Sequence, residues 1–229
     1  TNADDSGPGS LRAAIASSRN SDTIKFSASL AGETIFLTSG ELLIQHDLKI
    51  QGLGQDRLTI DGGSTNRVFH VVGSKTDVRI TDLTIANGYA DETSPGGARG
   101  GAIYDTADDL TLERVTFVNN VAVGGLVLET STSRLTAGLS SADAAGGAVF
   151  FAGGSGDELV VKCCTFTGNS AGTGAFDGDN IESFQVDGGS GQGLGGAIYS
   201  TNETIVRNST FSENQAGGGF DARGAGGAV

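Results

Sequence analysis

One stretch of the sequence gathers carboxylates and guanidinium groups: Asp82, Asp105, Asp108 and Asp109 lie near Arg79, Arg99 and Arg114. Clustered carboxylates can supply the acid and base that cleave a glycosidic bond. Calcium with a basic residue can instead support elimination from an acidic polymer. The two histidines, His46 and His70, stand in separate segments with no recurring partner. The charges are therefore expected to form a solvated surface, and the chain is read as non-enzymatic, with no catalytic and no cofactor-binding residue assigned.

For a metal, the best local run is Asp177-Gly178-Asp179-Asn180-Ile181-Glu182. Oxygen ligands at alternating positions suit calcium, which makes Asp177, Asp179 and Glu182 the metal candidates. The full twelve-residue loop pattern is missing, so a polar loop is the expectation and no cofactor is assigned. Cys163 and Cys164 are adjacent and do not form a disulfide framework. Cys164 should point inward as a small hydrophobe, with Cys163 at a corner matching Asp82, Arg114 and Asn208. The sequons at Asn202 and Asn208 would matter only in a eukaryotic secretory pathway.

These residues have to be positioned by a repeat. Gly100-Gly101-Ala102-Ile103 is followed by Val115-Thr116-Phe117-Val118-Asn119-Asn120. The pair returns as Gly146-Gly147-Ala148-Val149 with Cys164-Thr165-Phe166-Thr167-Gly168-Asn169, and as Gly195-Gly196-Ala197-Ile198 with Ser209-Thr210-Phe211-Ser212-Glu213-Asn214. Gly226-Gly227-Ala228-Val229 is a fourth start. The triplets Leu58-Thr59-Ile60, Leu83-Thr84-Ile85, Val115-Thr116-Phe117, Cys164-Thr165-Phe166 and Ser209-Thr210-Phe211 align. A second strand, with Val78/Ile80, Leu110/Leu112, Leu159/Val161 and Thr204/Val206, begins five residues before its triplet each time.

Length variation falls at one point of the repeat, in insertions at roughly 89–99, 121–145, 170–194 and 215–225, which should leave the same corner. Alternation puts Ile60, Ile85, Phe117, Phe166 and Phe211 in an inward column and Thr59, Thr84, Thr116, Thr165 and Thr210 in an outward one. A regular Thr array raises ice binding, but Thr is a favoured strand residue that stacks well across strands. Asn120, Asn169 and Asn214 are expected at corners with Gly63 and Gly88, where left-handed backbone angles are tolerated.

The spacing predicts an all-β fold: a single right-handed parallel β-helix with long insertions from one corner. Ser10 is a good N-cap, and Leu11 and Ile15 share a face, which predicts a capping helix at 11–17. Residues 1–20 would form the cap and 21–229 the helix, which should continue or be covered beyond 229. The composition of 38 Gly and 2 Pro without a Gly-X-Y period excludes collagen. A net charge of -13 with 14 basic residues makes nucleic acid an unfavourable partner. No stretch approaches a transmembrane segment. With Thr1 and no Met, the sequence is expected to be a processed product or a fragment.

The alternation of Gly-Gly-Ala-[Ile/Val] with Phe-x-x-Asn resembles the repeats of the chlamydial polymorphic outer-membrane proteins. The opening Asp5-Ser6-Gly7-Pro8-Gly9-Ser10-Leu11-Arg12-Ala13-Ala14-Ile15, with Asp22-Thr23-Ile24-Lys25-Phe26 and Leu58-Thr59-Ile60-Asp61-Gly62, is similar to large bacterial secreted proteins with pectate-lyase-like β-helix repeats. The resemblance implies adhesins, passenger domains and surface-layer components, many without a known activity. No Asn-Thr-Asp, Gly-His-Gly or Arg-Ile-Lys pattern of the polygalacturonase kind occurs.

The expected function is accordingly a non-enzymatic extracellular or cell-surface scaffold or adhesin, reached after removal of an export signal. Its partners would be other surface proteins, glycans or copies of itself. The alternatives are a self-assembling filament or surface-layer subunit, and a β-helix polysaccharide lyase or glycoside hydrolase.

Overall fold

The structure, a computed structural model, describes residues 2–124, 126–129, 138–141, 143–173 and 193–217. The fold is all-β and built of parallel sheets, with one α-helix among the described residues. That helix, α1 (Leu11–Ser17), is seven residues long and would not hold in isolation. The Ser10 side chain caps it by accepting from the Ala13 N–H at 3.1 Å, and its buried residues Leu11 and Ile15 face the body.

The strands follow in chain order. They begin with β1 (Asp22–Lys25), β2 (Glu33–Phe36), β3 (Leu42–Ile44), β4 (Leu48–Gln51), β5 (Leu58–Asp61) and β6 (Phe69–Val71). Next come β7 (Val78–Ala86), β8 (Tyr89–Asp91), β9 (Ile103–Asp105), β10 (Leu110–Val118), β11 (Val121–Gly124), β12 (Leu126–Glu129) and β13 (Gly138–Ser141). The last are β14 (Ala144–Ala145), β15 (Val149–Phe151), β16 (Glu158–Lys162), β17 (Thr165–Thr167), β18 (Ser170–Thr173), β19 (Gly193–Leu194), β20 (Ile198–Ser200), β21 (Glu203–Arg207), β22 (Thr210–Ser212) and β23 (Gln215–Gly217).

A broad sheet runs β1-β4-β7-β10-β16-β21, and β2, β5, β17 and β22 extend the same sheet alongside. A second sheet runs β3-β6-β9-β15-β20, and a third runs β8-β11-β18-β23. From β7 onward the chain visits the broad, third and second sheets in that order, then returns one strand further along. The short β14 and β19 pair parallel, and β12 pairs β13 antiparallel.

The register carries like onto like. Ile35, Ile60, Ile85, Phe117, Phe166 and Phe211 form one row. Phe117 and Phe166 stack at 4.6 Å and Phe166 and Phe211 at 4.8 Å. Each buried ring contributes about 2–3 kcal/mol of transfer energy and each stacked pair about 1 kcal/mol more. The outward Thr row, Thr59 to Thr210, is in register as expected.

Two columns of left-handed backbone bend the strands. The first is Asp82, Arg114, Cys163 and Asn208, with φ of 60, 52, 53 and 50°. Asp82, Arg114 and Cys163 each lie between two inward side chains three residues apart, such as Ile80 and Leu83, so the chain turns while both flanking side chains stay buried. This is the corner anticipated for Cys163. The second column corrects an expectation. Gly63 takes the left-handed angle as foreseen, with φ of 64°, but the others fall on Asn87, Asn119, Gly168 and Glu213, one residue before Gly88, Asn120, Asn169 and Asn214.

That turn aims the following Asn inward, where its amide satisfies backbone groups. Asn120 Nδ2 donates to the Ile85 carbonyl at 3.1 Å, and Asn120 Oδ1 accepts from the Gly88 N–H at 2.8 Å. Asn169 Nδ2 donates to the Phe117 carbonyl and Asn214 Nδ2 to the Phe166 carbonyl, at 3.1 and 2.9 Å.

Both repeat glycines are needed. Gly100, Gly146 and Gly195 adopt φ of 59, 64 and 59°. At Gly101, Gly147 and Gly196 a Cβ would collide with the backbone of Val121, Ser170 and Gln215. Ala102, Ala148 and Ala197 follow them, fully buried.

A further correction concerns the insertions: their first residues are not irregular. β8, β11, β18 and β23 occupy them and form the third sheet. Ala90, Ala122 and Ala171 are its inward residues, and Ala98, Ala122, Ala144 and Ala171 make a small apolar cluster apart from the main core.

Candidate functional site

The outer side of the broad sheet carries a groove of about 330 Å³ lined by Ser21, Asp47, Lys49, Asp77, Arg79, Asp109 and Thr111, with Leu48 and Val78 at its floor. Parallel register sets Lys49, Arg79 and Thr111 in one row, directly after Leu48, Val78 and Leu110. The three carboxylates precede those aliphatic residues. Asp47 Oδ1 accepts from the Asp77 N–H at 3.1 Å, Asp77 Oδ1 from the Asp109 N–H at 3.4 Å, and Asp109 Oδ1 from the Glu158 N–H at 2.8 Å. Their side chains thus form a column, each pinned through one oxygen to the strand above.

The charges singled out in the sequence are not gathered at one site, although Arg114 meets Asp82 and Arg79 shares the groove with Asp109. Arg79 pairs with Glu113, and Arg114 pairs with Glu113 and Asp82 on the outer surface. The Arg114 hydrogen bond holds the Asp82 carboxyl below its ordinary range, and Asp82 and Glu113 raise the Arg114 guanidinium. Asp109 joins the groove. Asp108 is half-buried near Asp105, and Arg99 lies over the Phe150 ring at 5.5 Å.

Asp105 is inside the protein, in the inward row between Val71 and Phe151. Its Oδ1 accepts from the Ala107 N–H at 2.8 Å, and its buried Oδ2 has no hydrogen-bond partner among the described residues. Burial pushes its pKa up to about 7, with Asp108 and Asp157 adding to the rise. It titrates near neutrality in the core, away from the groove's floor.

Sequence reasoning missed a cluster around Glu41. Glu41 Oε2 pairs with Arg67 Nη1, and Glu41 Oε1 meets His70 Nδ1, both at 2.6 Å. His70, for which no partner was apparent, therefore has one. The buried Arg67 side chain also donates to the carbonyls of Pro95, Gly97, Arg99 and Gly100. Its guanidinium lies 5.0 Å from the Tyr104 ring centre.

Burial pushes the Glu41 carboxyl up, but the His70 hydrogen bond and the Arg67 charge outweigh it and hold the group below its ordinary value. Burial likewise draws the Arg67 guanidinium down, against the pull of Glu41. The segment 92–99 is thereby strapped across Tyr104, with Gly96 against the ring. His70, Tyr104, Phe150 and Tyr199 form an outer aromatic row with ring centres 5.0, 5.4 and 5.3 Å apart. The signal was present as an aromatic directly after the Gly-Gly-Ala-[Ile/Val] starts at Gly100, Gly146 and Gly195, namely Tyr104, Phe150 and Tyr199.

The repeat residues lie in registered columns: Gly101, Gly147 and Gly196; Phe117, Phe166 and Phe211; Asn120, Asn169 and Asn214. Cys164 is buried, its thiol pushed up to about 11 by that burial, and Cys163 is exposed; both are free. The calcium candidates Asp177, Asp179 and Glu182, and the fourth start at Gly226, lie outside the described residues. Among the described residues no group of three or more His, Cys, Asp or Glu is placed to hold a metal ion. No described helix is long and apolar enough to cross a membrane. Comparison of the chain with family models, with curated proteins and with solved structures returned no match.

Proposed function

We propose that the chain is a right-handed parallel β-helix from residue 21 onward, capped at its first coil by α1, and that it serves as a non-enzymatic extracellular or cell-surface scaffold or adhesin. The observation that carries this reading is the recurrence of the three sheets in fixed order, each return one strand further along. A chain built so is rigid along the stack, because each strand is hydrogen-bonded to the one before it. The same recurrence holds the roots of successive insertions side by side: β11 pairs with β18 where two of them begin, and β14 with β19 where they end. In this reading the insertions carried on those neighbouring roots act as the lateral contact surface. The resemblance to bacterial surface repeats agrees with this use.

The test removes residues 174–192 and joins Thr173 to Gly193 through a short Gly-Ser linker. Beads coated with the intact or shortened protein are then presented to bacterial and mammalian cells. Intact protein should hold beads to one of these surfaces, and the deletion should lower attachment with an unchanged far-ultraviolet strand signal. Equal attachment by both forms would remove the insertion from the contact.

A further inference from the structure

We propose that the groove on the broad sheet binds a linear, neutral, polyhydroxylated polymer, a polysaccharide chain, lying along the stack. This rests on reading the chain as a surface contact protein, and it names the partner's chemistry, but it does not rest on the insertions. The groove's order is a repeated acceptor–donor pair. Asp47 and Lys49 flank Leu48, Asp77 and Arg79 flank Val78, and Asp109 and Thr111 flank Leu110. Register keeps the pairs aligned over three successive strands, at a spacing of about 4.8 Å.

Such a strip offers one acceptor and one donor per strand, and a sugar hydroxyl can use both at once. The acceptors are pre-organised. Each Asp spends Oδ1 on a backbone N–H of the next strand, and among the described residues its Oδ2 accepts no hydrogen bond. Holding a carboxylate this way before the ligand arrives removes side-chain ordering from the cost of binding. Lys49 has no ion pair among the described residues, so its donors are available, and among them Arg79 is hydrogen-bonded through Nη2 alone, to Glu113.

The charge balance selects the ligand. Three carboxylates stand against two basic side chains along one groove. An anionic polymer meets net repulsion, because three carboxylates stand against Lys49 and an Arg79 already paired with Glu113, while a cationic one meets Lys49 and Arg79 along one side. A neutral chain meets neither. At about 330 Å³ the groove is at the small end for ligand sites, which suits a short stretch of a longer chain rather than a compact molecule.

The experiment titrates the intact protein with cellohexaose, xylohexaose and mannohexaose by calorimetry, with hexagalacturonate as the acidic comparison. At least one neutral oligomer should bind with Kd below about 1 mM. The double variant Asp77→Asn, Arg79→Ala should weaken it at least tenfold. Asn keeps the Oδ1 acceptor for the Asp109 N–H, and matched circular dichroism and melting will verify the fold. Lys49→Gln, a milder change on the neighbouring strand, should also weaken binding, while Arg114→Ala, outside the groove, should not.

Absence of neutral binding, preference for hexagalacturonate, or binding indifferent to both groove variants would overturn the proposal. The 174–192 deletion leaves the groove intact. Cell attachment lost with oligosaccharide binding retained, or the reverse, therefore tells which of the two readings has failed.

Discussion

Asn120 and Asn169 are joined through a single atom: Asn169 Oδ1 accepts from the Asn120 backbone N–H at 3.0 Å and from Asn120 Nδ2 at 2.9 Å. Both residues are fully buried. Asn169 repeats the arrangement toward Asn214, at 3.1 and 2.9 Å. Asn169→Leu would strand the Asn120 N–H and the Phe117 carbonyl in the core. The expected loss is about 3 kcal/mol, from two buried groups left unpaired. Asn169→Asp keeps the shared oxygen but not the donor to Phe117, and buries a charge. Urea denaturation of both variants checks this; a loss under about 1 kcal/mol for the Leu variant would show the ladder to be dispensable.

Asp105 gives the protein an unusual pH response. Its folded pKa of about 7 lies above the ordinary 3.8, so between these values the folded state binds a proton that the unfolded state has lost. The contribution is fully present below about pH 4 and falls as pH rises through 7, on the order of 4 kcal/mol in all. Asp105→Asn keeps the Oδ1 acceptor for Ala107 and cannot ionise. It should raise stability at pH 8 by about 1–3 kcal/mol and flatten the decline between pH 4 and 7. Denaturation midpoints measured at four pH values suffice, and parallel profiles for the two proteins would refute the assignment.

Glu41 is the counter-charge for a guanidinium with no exposed side-chain surface. Glu41→Gln leaves Arg67 with four carbonyl partners and no carboxylate, which should cost about 2–3 kcal/mol. The segment 92–99 loosens with it, so protease cleavage within that segment should quicken. Because the Glu41 carboxyl lies below its ordinary range, its contribution is present above that range and is lost as pH falls through the folded value. Mass spectrometry of timed digests reads the result, with unchanged cleavage counting against the strap.

Gly147 of the repeat and Gly32 outside it differ in what they forbid. At Gly147 a Cβ would meet the Gly196 carbonyl and the Ser170 backbone, neither of which can move without disturbing the ladder. Gly32 has φ of 91° but open space around it. Gly147→Ala should cost about 2–3 kcal/mol and Gly32→Ala about 1 kcal/mol. Thermal melting separates them, and equal shifts would mean that close approach is not what Gly147 serves.

The strands of the broad sheet were legible because their inward residues alternate and the Thr triplets repeat. The helix was legible from Ser10, Leu11 and Ile15. The third sheet was not, since Tyr89-Ala90-Asp91 and Ser170-Ala171-Gly172 lack the aliphatic alternation that marks a strand; the small inward Ala was the signal. Asn120 was assigned the left-handed turn because Asn tolerates it, whereas Asn119, equally tolerant, takes the angle and leaves Asn120 to hydrogen-bond inside. The groove and the Glu41 cluster depend on residues some thirty positions apart, such as Asp47 with Asp77 and Glu41 with His70, and only register joins them. Asp105 looked like one surface carboxylate among several, since nothing local reveals that its position continues the row of Val71 and Phe151.

The shared amide oxygen gives the stack a direction. Each level donates its backbone N–H and one amide hydrogen to the Asn oxygen of the level that follows, and Gly88 opens the series with a backbone donor alone. The interval from Asn120 to Asn169 is 49 residues. Excising one such interval would set Gly88 against Asn169 with the ladder re-formed, and excising the 45 residues from Asn169 to Asn214 would likewise set Asn120 against Asn214, whereas a cut that ends part-way through the registered strands would misphase the series. The currency of change in this protein is therefore the complete turn: turns can be gained or lost by recombination between like segments, while the space between them is free to vary in length and sequence.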